Sequence, residues 1–289
     1  MAIERVAVVG GGGVMGSGIA QVVAQAGLTV TVVEADDAAA ERGLRRIERG
    51  LGRAVKAKVL DGPEAAAEAL GRVSASTDLA AAGAEADHVI ETVVEEVDVK
   101  CDVLGRLDEV CRDEVVLASN TSQISISRLA SATGRPDRVI GSHWFNPPPV
   151  MGLIEVVRGV ETSDETLGIA LGLAERYGKE TIVCRKDAQG FVTSRLIAIL
   201  MVEAARIVEE GIADPEEVNR ACVLAFNHAM GPLDTADLSG LDILERVADG
   251  LAEHYGDRFL VPQSVRALVN AGHLGRKTGR GFRDYSEAG

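Results

Sequence analysis

Aromatic residues are scarce: one Trp, three Tyr and five Phe make up 3% of 289 residues. A core must therefore be built from Ala, Val, Leu and Ile, and an apolar fraction of 46% supplies them. Cysteine is sparse as well. Cys101, Cys111, Cys184 and Cys222 stand far apart, without the paired spacing of a metal or redox site, which excludes a disulfide scaffold and suits reduced thiols. Long apolar runs are missing; none approaches the ~18 residues of a membrane helix. No secretory or transit pattern precedes the first strand-like run at residues 6–9, so a cytoplasmic location is expected.

Positive charge is also short, with 30 Lys and Arg against 44 Asp and Glu and a net charge of −14. Such a chain repels nucleic acid and anionic membranes, so neither is expected as a partner. One stretch reverses the balance. Between residues 41 and 58 stand Arg42, Arg45, Arg46, Arg49, Arg53, Lys56 and Lys58, against only Glu41 and Glu48. Charge alone leaves two readings open here, a site for a bound polyanion or a solvated helix face.

Strand-like runs occur at residues 3–9, 28–34, 88–93, 115–119, 139–143, 153–157 and 181–184. Several are continuously apolar rather than alternating, which predicts a parallel sheet covered on both faces. Helix-like stretches between them predict βαβ units and an α/β, doubly wound sheet. One helix is expected over residues 38–59, with Leu44, Ile47, Leu51, Val55 and Val59 as its apolar stripe. Its Gly43, Gly50 and Gly52 predict a kink or an early end. After Gly190 the pattern becomes helical, placing a boundary near residue 186, with a nucleotide domain at 1–186 and an all-helical domain at 187–289. The helix at 196–210 is apolar around most of its circumference. In a domain of about 100 residues it needs a partner surface, which predicts a homodimer formed through the helical domain.

The run at residues 6–9 leads into four consecutive glycines. Gly11, Gly13 and Gly16 match G-x-G-x-x-G between a strand and a helix that opens with Val14 and Met15. Glycine permits the tight turn, and a helix N-terminus offers unpaired N–H groups to a pyrophosphate. The second strand ends in Glu34, 23 residues after Gly11. An acid there accepts hydrogen bonds from both ribose hydroxyls and repels a 2′-phosphate, so the expected cofactor is NAD rather than NADP.

A second constellation lies further on. Ser142, His143, Trp144, Phe145 and Asn146 follow a strand and run into Pro147, Pro148 and Pro149, with Glu155 twelve residues after the histidine. Upstream, Ser119, Asn120, Thr121 and Ser122 close another strand. Polar residues at carboxyl strand ends converge where a doubly wound sheet binds its ligand. A His bracketed by hydroxyls and a carboxylate suits general-base chemistry on an alcohol. The single histidines His88, His228, His254 and His273 read as surface or satisfied core residues.

Taken in order, these motifs resemble the 3-hydroxyacyl-CoA dehydrogenase family over nearly the whole chain. The likeness is carried by residues 15–20, by 91–95 with Lys100, by 119–122 and by 143–151. It continues through 190–192, 230–233 and 275–282. The resemblance implies a Rossmann-type domain followed by a helical dimerisation domain, and NAD-dependent oxidation of an L-3-hydroxyacyl-CoA. It implies His143 as the catalytic base, Glu155 as the carboxylate that orients it, and Ser122 at the reacting oxygen and near the nicotinamide. Glu95, Lys100, Asn120, Asn146 and Lys277 fall at cofactor positions. Lys56 or Lys58 falls where the family meets CoA phosphate, so Arg49, Arg53, Lys56 and Lys58 are expected at an acyl-CoA substrate.

Three departures from the family pattern carry expectations. The extra glycine predicts a bulged turn or a strand one residue shorter. Trp144, where a smaller aromatic is usual, predicts a narrowed pocket and short acyl chains. Ser194 replaces an Asn that resembles a substrate contact. Two alternatives stay open: a dehydrogenase of a free hydroxy or sugar acid, which needs no basic helix, and a catalytically idle NAD-binding structural protein.

Overall fold

A computed structural model describes residues 3–286, which form two compact units parting between Ala188 and Gln189. The first is built on eight strands: β1 (Arg5–Val9), β2 (Thr29–Val33), β3 (Val73–Ser76), β4 (His88–Glu91), β5 (Val116–Ser119), β6 (Val139–Trp144), β7 (Leu153–Arg158) and β8 (Glu180–Cys184). They form one sheet in the order β3-β2-β1-β4-β5-β6-β7-β8. Its helices are α1 (Val14–Gln25), α2 (Asp37–Lys56), α3 (Gly62–Gly71), α4 (Leu79–Glu85), α5 (Val97–Val110), α6 (Ile126–Ala130) and α7 (Asp164–Arg176). The Rossmann-type α/β class is therefore as expected.

The continuous apolar runs have the cause proposed for them. Val6, Ala7, Val8 and Val9 are all buried, as are all four residues of β4 and of β5, because both faces of these strands are covered. The principal core joins β1, β2, β4, β5, β6 and β7 to Ile19, Val22 and Val23 of α1 and Ile47 and Leu51 of α2. Strand β3 escapes the sequence reading because VSAS is short and only half buried at the sheet edge. The pairing of β6 with β7 is antiparallel, a reversal the apolar pattern does not encode.

Two local expectations need correction. Helix α2 runs unbroken through its glycines from Asp37 to Lys56 but ends three residues before the expected Val59, which is exposed, and Asp36 caps it by accepting the N–H of Ala39 at 2.7 Å. Gly43 and Gly50 make room for neighbouring elements: a Cβ on Gly50 would lie 2.0 Å from the Gln21 amide of α1. Trp144 does not narrow a pocket. It is buried in the principal core and packs against Tyr177 with ring centroids 5.6 Å apart. Successive strand residues face opposite ways, so a residue beside inward-working His143 had to point to the other face.

The second unit is helical, with α8 (Thr193–Glu209), α9 (Pro215–Phe226), α10 (Pro232–Ser239), α11 (Leu241–Tyr255) and α12 (Gln263–Asn270). Its core gathers Met201 and Val202 of α8 with Leu233, Leu244 and Val265. Fully buried Asp237 accepts N–H groups from Phe282 and Arg283 and the Tyr285 hydroxyl, which pins the motif at 275–282 against α10. Leu196 and Ile197 of α8 and Leu224 and Phe226 of α9 remain exposed within this unit.

Candidate active site

The site begins where β1 stops at Val9 and the chain turns into α1. Gly10 adopts φ +82°, a left-handed conformation that glycine takes without penalty, and a Cβ on Gly16 would lie 2.4 Å from the Gly10 carbonyl. The four glycines thus make a tight turn, and β1 runs to Val9 rather than ending one residue early. Gly13 stands at the N-terminus of α1, with Val14 exposed and Met15 half-buried behind it. Glu34 lies just past β2 and accepts the Gly12 N–H at 2.6 Å. A turn whose glycines carry no side chains, with a carboxylate held at its rim, fits a dinucleotide.

Three strand ends supply the chemistry. In the β6–β7 register His143 pairs directly with Glu155, so both side chains leave the same face of the sheet. His143 Nδ1 lies 2.6 Å from Glu155 Oε2, and Nε2 lies 3.1 Å from Ser122 Oγ. Glu155 is fully buried and His143 nearly so, while Phe145 tilts over the imidazole at 4.6 Å between ring centroids. A carboxylate only accepts, so Nδ1 carries the proton and Nε2 takes the serine hydroxyl. Glu155 Oε1 lies 3.9 Å from Cys184 Sγ.

Glu95 accepts the Thr121 hydroxyl at 2.6 Å and the N–H of Ser122 at 2.8 Å. Asn120 Oδ1 accepts the Trp144 N–H at 2.9 Å, so this amide is engaged in joining β5 to β6. Lys100 was expected at a cofactor position. It is fully buried, and its Nζ donates to Glu91 Oε1 at 2.8 Å and to the carbonyls of Val93 and Asn120. The sequence reading passed over Glu91, although an acid closing an otherwise apolar strand was a visible signal. Burial pushes its carboxyl up from the usual range, and Lys100 and the Ser119 hydroxyl pull it back.

A cavity of about 570 Å³ lies between α1, α2 and the proline segment at 146–150. Gln21 and Pro148 line it, Asn146 stands at its edge, and Arg46, Arg49 and Arg53 of α2 provide its cationic wall. Spacings of three and four put these arginines on one helical face, so Arg46 was as legible as the other two. Lys56 and Lys58 are exposed at and beyond the end of α2 and do not line the cavity. In the second unit, Ser194 sits half-buried in the first turn of α8, and Lys277 is ion-paired with Asp242 at 2.6 Å.

A dinucleotide turn and a buried His–carboxylate pair at the same sheet edge define a nicotinamide-dependent alcohol dehydrogenase class. Comparison with known proteins narrows this. Residues 5–188 match the model for the 3-hydroxyacyl-CoA dehydrogenase NAD binding domain, and residues 190–285 match that for the family's C-terminal domain. The chain belongs to the 3-hydroxyacyl-CoA dehydrogenase family, and it is an NAD-dependent oxidoreductase. It is similar to a 3-hydroxybutyryl-CoA dehydrogenase of Mycobacterium tuberculosis, with 43% identity over 98% of this chain and 99% of the relative. The crystal structure of the (S)-3-hydroxybutyryl-CoA dehydrogenase PaaH1 from Ralstonia eutropha is 41% identical with a TM-score of 0.94, over 99% of this chain and 100% of that one. That of M. tuberculosis FadB2 also has a TM-score of 0.94, at 42% identity over 99% of this chain and 100% of that one.

Proposed function

We propose that His143 is the general base that takes the hydroxyl proton of a short-chain L-3-hydroxyacyl-CoA, with Glu155 orienting it and Ser122 holding the reacting oxygen. The observation that carries this is the imidazole bracketed between Glu155 Oε2 and Ser122 Oγ. Hydrogen bonding at Nδ1 makes Nε2, which faces Ser122 Oγ, the basic nitrogen, and the buried carboxylate favours the imidazolium as it forms. When substrate enters, the Ser122 hydroxyl turns from Nε2 to the substrate oxygen, so one side chain serves both states. Bound NAD supplies the hydride acceptor. Gly11, Gly13, Val14, Met15 and Gly16 would hold its pyrophosphate and Glu34 its ribose. Glu95, Asn146 and Lys277 are assigned to it by family position. In the reverse direction His143 is the acid.

Relatives named for 3-hydroxybutyryl-CoA support the short chain. The cavity supports the CoA ester, because Arg46, Arg49 and Arg53 offer cations to phosphates beside an apolar channel. Lys56 and Lys58, just past this wall, would extend the cationic field outward. Ser194 would reach the substrate only through a bridging water, having a shorter side chain than Asn. Exposed Leu196 and Ile197 of α8 and Leu224 and Phe226 of α9 support a homodimer through the helical unit. No described helix is long and apolar enough to cross a membrane, and no disulfide joins the described cysteines, which suits a cytoplasmic enzyme.

The test follows NADH absorbance with acetoacetyl-CoA and with free acetoacetate, in the wild type and in Arg49→Ala/Arg53→Ala. The CoA ester should turn over far better, and the double variant should raise its KM by about 10-fold or more while sparing kcat. Comparable turnover of the free acid, with no KM change in the variant, would favour a free hydroxy acid as substrate.

A further inference from the structure

Glu91 and Lys100 are fully buried, yet both sit beneath the chain segments that carry the reacting side chains. Glu91 ends β4 at the middle of the sheet, beside Val9 of β1 and Ser119 of β5. Its Oε1 accepts the Val93 N–H at 2.7 Å and the Lys100 ammonium at 2.8 Å. Its Oε2 accepts the Ser119 hydroxyl at 2.5 Å. Lys100, in the first turn of α5, spends its other two donors on the carbonyls of Val93 and Asn120. Its next neighbour is Glu95 Oε2 at 3.5 Å.

From this cation two routes lead to the imidazole. The first runs through Glu95, whose Oε1 holds the Thr121 hydroxyl and the N–H groups of Ser122 and Gln123. The second runs through Asn120, whose backbone is held at both ends, by Lys100 at its carbonyl and by the Glu91 carbonyl at its N–H. The Asn120 side chain in turn binds the Trp144 N–H, next to His143. Ser122 has no regular secondary structure of its own to fix it; its position is set by these contacts.

We propose that Glu91 is a positioning residue: paired with Lys100, it holds Glu95 and Asn120 where they set Ser122 against Nε2 of His143. This rests on the reading of Ser122 and His143 given above. Neither buried charge is tolerable without the other. With the Glu91 charge removed, the ammonium stays buried and turns to the remaining carboxylate, Glu95, drawing it off the Ser122 N–H. A displacement of about 1 Å at a reacting group costs on the order of 100-fold in rate.

The experiment compares Glu91→Gln, Glu91→Gln/Lys100→Met, Ser119→Ala and Ser122→Ala in steady state with acetoacetyl-CoA and NADH. Glu91→Gln should lower kcat ~10- to 100-fold while both KM values stay within ~3-fold. Adding Lys100→Met removes the stranded cation and should restore part of kcat, whereas two merely structural losses would compound. Ser119→Ala, which removes one donor and no charge, should lower kcat ~2- to 5-fold and decides the matter if Glu91→Gln does not fold. An unchanged kcat in these variants, or a double variant slower than the single one, overturns the inference. Wild-type turnover by Ser122→Ala would instead sink the reading of the site on which it rests.

Discussion

His143 and Glu155 stand directly opposite each other in the antiparallel register of β6 and β7, and Nδ1 meets Oε2 at 2.6 Å. The reversal of β7 is thus what makes the pair. In a parallel neighbour, residues twelve apart in sequence would have needed a crossover helix between them. The short proline-rich connection instead brings the carboxylate back beside the imidazole. Both groups are locked by the sheet rather than by a loop.

Replacing Glu155 with Gln keeps the shape and removes the charge. The amide can then donate to Nδ1, which moves the imidazole proton to Nε2 and disables the base. We expect kcat to fall about 10²- to 10⁴-fold, by analogy with other His–carboxylate pairs, with KM for NAD little changed. Steady-state kinetics decide it. A loss smaller than about 5-fold would mean that Glu155 contributes packing only.

Glu34 invites a test of cofactor choice. Its carboxylate is fixed on the Gly12 N–H at the rim of the glycine turn. There it can serve ribose hydroxyls and oppose a 2′-phosphate. Glu34→Ala should raise KM for NAD by about 10-fold and narrow the preference over NADP by more than that, since repulsion is lost together with attraction. Should the NAD/NADP ratio of kcat/KM stay as in the wild type, Glu34 does not face the ribose.

Much of this was legible before any coordinates. Continuous valine runs announce buried strands, the glycine turn, Glu34, His143 and Glu155 are readable from type and place, and Ser122 stands out through the family resemblance. What the sequence could not carry was relational. The direction of β7 depends on how a strand inserts, and the apolar pattern is the same either way. Trp144, larger than the aromatic usual at that position in the family, does not narrow the pocket because strand alternation sends it into the core. The resemblance puts Lys100 at a cofactor position, but no pattern in the sequence announces that it is fully buried on Glu91, Val93 and Asn120.

His88 is the remaining surprise, and it predicts acid sensitivity. Expected to be an ordinary satisfied residue, it is buried in β4 with Nδ1 lacking a hydrogen-bond partner. Burial in an apolar setting opposes the charged imidazolium and lowers its pKa from 6.5 to about 4. The unfolded chain therefore binds a proton that the folded one refuses. Stability is full above pH 6.5 and falls as the pH drops toward 4, by about 2 kcal/mol at pH 5 and about 3 kcal/mol at the lower limit. His88→Leu fills a similar volume without a titrating group. Urea unfolding at pH 7.5 and pH 5 should show the wild type losing about 2 kcal/mol more than the variant between the two conditions. Equal losses in both would place the acid sensitivity in the carboxylates, not in His88.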